Sequence, residues 1–279
     1  MKTVGFIDYF LNEWHANEYP KMIAAYNQKN GTDYQFKYAW AEIDSPNGGL
    51  STDEWCKEYG AERCKTIEEL CEKCDCVFVL APSNPEKHFE YAKAVFACGK
   101  NSYIDKTFAP DLATAQAIYD MAAKQGVSFF SSSALRYADE LNAYTGGANC
   151  IFTTGGGSNF DEYIIHQIEM VVKCLGVGAK KVRYEKNAQQ EWVEISYADD
   201  RYARMMFAPC MPFAATVSDK TGTKYLPINS AFFDNLIADI FHFFETNETS
   251  FCACETLEVM KIREKAIQAK SEAGIWLAL

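Results

Sequence analysis

The sequence predicts an α/β domain built on a doubly wound parallel sheet, followed by an α+β domain with an open antiparallel sheet and helices. Three observations carry this. Through residues 1–137 short apolar runs alternate with helical patterns, the signature of βαβ units. Residues 76–80, Cys-Val-Phe-Val-Leu, are apolar without alternation, as expected of a strand covered on both faces. Beyond residue 137 the runs alternate apolar with polar and are joined by turn residues, which points to antiparallel pairing. Two domains follow, 1–137 and 138–279, with the change of pattern at 135–145.

In order, residues 3–7 form a first strand and 19–28 a helix, with Asn17 as N-cap, Pro20 in the first turn and Gly31 as the stop. Residues 34–41 alternate as a strand, and 44–49 are a turn-rich loop. Helices follow at 52–59 and at 66–74, where Thr66 and Glu69 have capping-box spacing. After the strand 76–80 come a helix at 85–98 ended by Gly99, a strand at 102–104, a helix at 111–125 and a strand at 127–131. The second domain opens with a helix at 161–175. Strands are expected at 181–186, 191–197, 202–207 and 213–218, then helices at 230–245 and 255–272, and a short strand at 275–279.

Composition narrows the function. The 279 residues are 48% hydrophobic and 14% aromatic, enough for a sizeable core. The net charge of −11, with scattered basic residues, excludes the basic footprint of a nucleic-acid binder. No apolar run approaches the ~20 residues that span a bilayer. The opening Met-Lys-Thr-Val-Gly-Phe-Ile-Asp has too short an apolar part for a signal peptide and reads as a strand, so a cytoplasmic protein with a small-molecule partner is expected. In that compartment the 11 cysteines are expected to be unpaired. Cys71, Cys74 and Cys76 resemble half a metal site with no matching second half, and read as small buried apolar residues. No metal is expected, because no His or Cys/His set has ligand spacing on one element.

Lys106 is the leading candidate for chemistry. It follows Tyr103-Ile104-Asp105 where a buried strand ends, and open α/β sheets bind ligands at the carboxyl ends of their strands.

Residues 74–108, CDCVFVLAPSNPEKHFEYAKAVFACGKNSYIDKTF, together with Leu135-Arg136-Tyr137 and the helix HQIEMVVKCLG, carry a resemblance to the glucose–fructose oxidoreductase/inositol dehydrogenase (Gfo/Idh/MocA) family. The turn Ala81-Pro82-Ser83-Asn84, His88, and Asp105-Lys106-Thr107 in place of Glu-Lys-Pro follow that family's order, as does the tail AKSEAGIWLAL. The second domain reads as shorter than is usual in the family. The resemblance implies a Rossmann-like first domain and a nicotinamide-dependent oxidoreductase, using NAD or NADP, that acts on a sugar- or cyclitol-like hydroxyl or carbonyl. It assigns Lys106 to orienting or deprotonating the substrate hydroxyl and His166 to acid/base work, with Glu162 or Asp161 as support for His166. A hydride leaves a carbinol carbon only as the hydroxyl proton is removed, so a base must stand within hydrogen-bond reach. Positive charge on a neighbouring ring would lower a lysine's pKa toward neutrality. By position Ile7, Asp8, Tyr9, Phe10, Ala81, Pro82, Ser83, Asn84, His88 and Asp105 would border the cofactor.

The chain departs from the family pattern after its first strand. Gly-x-Gly-x-x-Gly lets a backbone approach a diphosphate, yet no glycine stands between Gly5 and Gly31, and Asp8 would repel a phosphate. Glu42 or Asp44 stands where a ribose carboxylate belongs, though both read better as surface acids. His15 either faces the crevice or is packed, and the same holds for His88; His242, among Phe241, Phe243 and Phe244, reads as structural. Two rival functions follow: a ligand-binding or regulatory protein that has lost dinucleotide binding, or a nicotinamide-independent lyase or epimerase. The Tyr-, Phe- and Met-rich open sheet is expected to bury itself in a homo-oligomer, a dimer.

Overall fold

In a computed structural model, residues 1–46 and 48–279 are described. Asn47, within the expected loop at 44–49, lies outside the described residues. The chain divides into two compact units: Met1–Ser132 with Leu236–Ser250, and Ser133–Asn235 with Phe251–Leu279.

The first unit holds β1 (Lys2–Asp8), α1 (Trp14–Asn30), β2 (Tyr34–Ala41), α2 (Thr52–Tyr59), β3 (Glu62–Arg63), α3 (Ile67–Lys73), β4 (Cys76–Val79), α4 (His88–Ala97), β5 (Ser102–Ile104), α5 (Leu112–Gln125) and β6 (Phe129–Phe130). Its strands run in the order β3-β2-β1-β4-β5-β6, with every pairing parallel. The order reverses between β1 and β4, and a crevice opens outside the carboxyl ends of strands at such a switch point. Both faces of the central strands are covered. All four residues of β4 are buried, as their unbroken apolar run predicts. Gly5 in β1 permits a close approach: a Cβ there would lie 2.3 Å from Cys74 Sγ and 2.8 Å from Leu70 Cδ2. Phe6, Tyr19 and Phe78 pack edge-on or tilted in the core. Phe241 stacks on Tyr34 with ring centroids 3.8 Å apart. This contact brings a late segment of the chain back to the first sheet.

Several boundaries depart from expectation. Helix α1 starts at Trp14 with Glu13 as its cap, so it includes Asn17, and Pro20 stands inside it. Asn17 is engaged elsewhere, accepting the Trp55 Nε1–H at 2.7 Å. At α3, Thr66 accepts the Glu69 N–H, while the Glu69 carboxylate turns to Lys65 N and Lys73 and leaves half a capping box. His242 is exposed while its neighbours Phe241 and Phe243 are buried, so the helix turns it away from the core.

The second unit contains β7 (Cys150–Gly155), α6 (Phe160–Leu175), β8 (Ala179–Lys186), β9 (Glu191–Tyr197), β10 (Tyr202–Phe207), β11 (Ala214–Asp219), β12 (Gly222–Pro227), α8 (Ala253–Gln268) and β13 (Leu277–Ala278); α7 (Phe232–Thr246) begins here and ends in the first unit. The sheet order is β12-β11-β7-β10-β9-β8-β13. Its pairs are antiparallel except β7 with β10, which run parallel. β7 and β12 were not anticipated. β12 is exposed along nearly its whole length and lacks an apolar signal. One disulfide, Cys252–Cys254, joins cysteines expected to be free. Cys71, Cys74 and Cys76 are buried in the first unit, and burial pushes the thiols of Cys71 and Cys76 up to about 12.

Candidate functional site

In the first unit, polar side chains gather at the carboxyl ends of β1, β4 and β5. Asp105 follows β5 and is 1% exposed. Its Oδ1 accepts the Tyr103 hydroxyl at 2.7 Å and the Tyr19 hydroxyl at 3.5 Å. Its Oδ2 is buried without a hydrogen bond, and His15 Nε2 lies 3.6 Å from it. His15 Nδ1 is 3.0 Å from Glu13 Oε2, so the imidazole stands between two acids. Burial, and then the charges of Asp105 and Glu13, push the Tyr19 phenol well up, which keeps it a hydrogen-bond donor. Lys106 is 6% exposed and donates to the Pro82 carbonyl at 3.4 Å. The Lys106–Thr107 peptide is cis.

The residues expected to border a cofactor occupy the same end of the sheet. Ile7 is buried in β1, whereas Tyr9 and Phe10 are half-buried in the loop after it. Ala81 and Pro82 are buried, Ser83 is exposed, and Asn84 donates to Glu86 at 3.0 Å. His88 is fully buried, with Nδ1 2.9 Å from the Phe108 carbonyl and Nε2 2.6 Å from that of Leu80. Burial pushes its pKa down, and the two carbonyls offset this in part. The ring therefore clasps the segments that follow β4 and β5, a packed role. Glu42, after β2, accepts Lys87 Nζ at 2.5 Å and the Tyr91 hydroxyl at 2.7 Å, and Lys87 lies 5.1 Å from the Tyr9 ring centroid. Asp44 accepts the Thr52 N–H at 2.7 Å.

These residues do not fit a dinucleotide in the way its phosphates are usually held. A helix N-terminus attracts an anion because its first N–H groups have no partner in the helix. At α1 the Glu13 carboxylate takes those groups itself, with Oε2 2.9 Å from His15 N and Oε1 on Ala16 N. At the end of β1 the Asp8 carboxylate accepts Tyr9 N at 2.7 Å and Ala81 N at 3.0 Å. Burial foremost, then the charge of Glu13, raises the Asp8 carboxyl well above its ordinary range. A carboxylate and a buried acid thus fill the place where glycines would leave room.

In the second unit, His166 lies half-buried on α6, and its Nδ1 is 2.6 Å from Ser133 Oγ. Glu169, one turn further on, accepts Ser133 N at 3.2 Å and Arg136 Nε at 2.9 Å. Arg136 also reaches Glu255 at 2.6 Å and lies 4.0 Å from the Phe251 ring centroid. Asn159 caps α6 by accepting Glu162 N at 2.9 Å. The helix has therefore begun before Asp161, and Glu162 shares a face with His166 four residues on. Asp161 is turned to Lys270, 2.5 Å away. Reasoning from sequence missed Ser133, Glu169 and the cap made by Glu13. The Ser131-Ser132-Ser133 run was the only local sign of the first.

The strand order β3-β2-β1-β4-β5-β6 and its switch point are those of a doubly wound fold, an architecture that many dinucleotide-binding proteins share. Residues 10–133 match the model of the Gfo/Idh/MocA oxidoreductase family, described by its NAD-binding Rossmann fold. A curated relative, the uncharacterized oxidoreductase YhhX of Escherichia coli, is 32% identical over 62 residues, which span 22% of this chain and 18% of that protein. Among solved structures, the myo-inositol dehydrogenase of Lactobacillus casei in complex with NAD(H) and myo-inositol superposes with a TM-score of 0.81 at 11% identity, covering 100% of this chain and 96% of that one. The UDP-N-acetylglucosamine 3-dehydrogenase GnnA of Acidithiobacillus ferrooxidans gives 0.77 at 13%, covering 98% and 97%. At such identities the likeness establishes the fold. It extends through the second unit, which is not trimmed against these structures.

Proposed function

We propose that the protein is an oxidoreductase of this family acting on a hydroxyl or carbonyl of a sugar- or cyclitol-like small molecule. The observation that carries the reading is Lys106, a nearly buried ammonium at the carboxyl end of β5 that donates to the Pro82 carbonyl over a long 3.4 Å. A lysine held there is free to exchange that long bond for a substrate hydroxyl, orienting it or taking its proton. His166 is assigned acid/base work on a second hydroxyl or carbonyl oxygen. Ser133 fixes the ring through Nδ1, and Glu162 is favoured over Asp161 as its support. The dehydrogenases named above support this substrate class.

NAD or NADP would supply the hydride acceptor. The α1 N-terminus does not receive its diphosphate while Glu13 holds the His15 and Ala16 N–H groups. That same observation favours a second reading, a nicotinamide-independent lyase or epimerase, or a binding protein that has lost the dinucleotide. Titration with NADH and NADPH, followed by fluorescence and thermal shift, separates the two. Micromolar binding, followed by polyol-dependent reduction of NAD or NADP, supports the oxidoreductase. No binding at millimolar ligand sinks it in favour of the second.

The open face of the second sheet supports a homodimer. Phe152 is 47% and Tyr225 67% exposed, with Trp192 and Met206 on neighbouring strands. Sedimentation at micromolar protein is expected to give twice the chain mass, and a monomer there would overturn this proposal.

A further inference from the structure

We infer that Glu13 is an internal stand-in for a bound phosphate, an autoinhibitory carboxylate that a dinucleotide must displace. The inference rests on reading this crevice as a dinucleotide-type site and concerns how that site is regulated.

Four backbone N–H groups face the place where β1 meets α1 and β4, namely those of Tyr9, Ala81, His15 and Ala16. All four are taken by two side chains of the same chain, Asp8 and Glu13. A phosphate oxygen would need the same donors, so ligand and side chain compete for one set of bonds. Glutamate is not among the preferred N-cap residues, which are Ser, Thr, Asp and Asn. Its longer side chain reaches over the end of the helix to His15 N and Ala16 N while holding His15 Nδ1 at 3.0 Å.

Charge adds to the competition. Asp8 Oδ2 and Asp105 Oδ2 are buried without hydrogen bonds, close enough to Glu13 that the three acids bear on one another and on Tyr19. A diphosphate entering with Glu13 still present would add negative charge beside that acid and the buried Asp8 and Asp105. The loop is also tied down: Ile43 N donates to Tyr9 O at 3.0 Å, and Leu50 N to Asn12 Oδ1 at 3.0 Å. Rotation of the Glu13 side chain is therefore a smaller change than displacement of the loop.

The test is NADH titration of the wild-type chain, Glu13→Ser and Glu18→Ser. Serine keeps a capping oxygen but removes the charge and the reach. Glu18, on the same helix and paired with Lys21, controls for general loss of negative charge. Glu13→Ser is expected to bind NADH at least about tenfold more tightly than wild type, because like charges placed together at a binding site oppose association strongly. Glu18→Ser is expected to match wild type. If Glu13→Ser fails to fold, Glu13→Gln decides, with a smaller gain expected because length and cap are kept. Equal affinities for wild type and variant overturn the inference. If both bind at micromolar NADH the oxidoreductase reading stands without the plug; if neither binds, both fall. A gain in binding with no polyol oxidation by the loaded variant would retain the plug and sink only the proposed activity.

Discussion

Replacing Lys106 by methionine is expected to lower kcat/KM for the sugar or cyclitol substrate by about a thousandfold, within the 10²–10⁴ range typical of a positioned proton-transfer group. Methionine has nearly the length and volume of the lysine stem, so packing around this nearly buried position is conserved. What disappears is the ammonium, and with it the donor that now rests on the Pro82 carbonyl at 3.4 Å. A long bond contributes little to stability. The variant should melt within a few degrees of wild type while turnover collapses. If Lys106 only orients the substrate, KM rises more than kcat falls; if it takes the proton, kcat falls most. Steady-state kinetics with thermal melts on the same preparation provide the check. Activity within tenfold of wild type would remove Lys106 from the proposed chemistry.

Arg136→Met is expected to give the largest loss of stability, about 3–5 kcal/mol, the range for breaking a buried ion pair from one side. Arg136 is 5% exposed and lies between Glu169 and Glu255. Glu255 keeps some solvent contact, but Glu169 is 3% exposed and loses its only ion-pair partner among the described residues. Burial already raises the Glu169 carboxyl, with Arg136 pulling it back. Without the arginine that rise becomes larger. A carboxyl whose folded pKa is raised favours the folded state at low pH and loses that contribution as pH climbs through the folded value. The penalty should therefore be greatest at neutral pH and shrink on acidification. Adding Glu169→Gln to Arg136→Met should recover part of the loss by removing the orphaned charge. Urea denaturation at about pH 5 and about pH 8, between which a carboxyl strongly raised by burial titrates, tests this. An equal loss at both would show that packing on Phe251, and not charge, is what Arg136 supplies.

Local signals carried most of the first unit. The unbroken apolar run at 76–79 became the buried strand β4, and Ser51, Thr66 and Asp111 cap helices where their residue types predict. Lys106 was legible because its position at the end of a short apolar strand is itself a sequence feature. The α1 cap was not legible, because a glutamate before an aromatic and a histidine carries no capping signature. Its role depends on which N–H groups the fold leaves without partners. β12 escaped notice for another reason. Its exposed residues lack alternation, and it exists only because β11 offers it an edge.

The order of residues by itself determined the alternation of strands and helices, the change to antiparallel pairing beyond the first unit, and the absence of glycine from the first loop. Each is a property of neighbours within a few positions, where side-chain period and backbone freedom act directly. Tertiary structure alone decided that α7 ends against the first sheet through Phe241 and Tyr34, residues 207 positions apart by their numbers. It also decided that Asp8 and Glu13 consume the four amides of the crevice, and that Arg136, Glu169 and Glu255 share one buried charge network. Those facts turn on distances between segments remote in sequence, and on burial, which gives a carboxylate its cost and its partner its value.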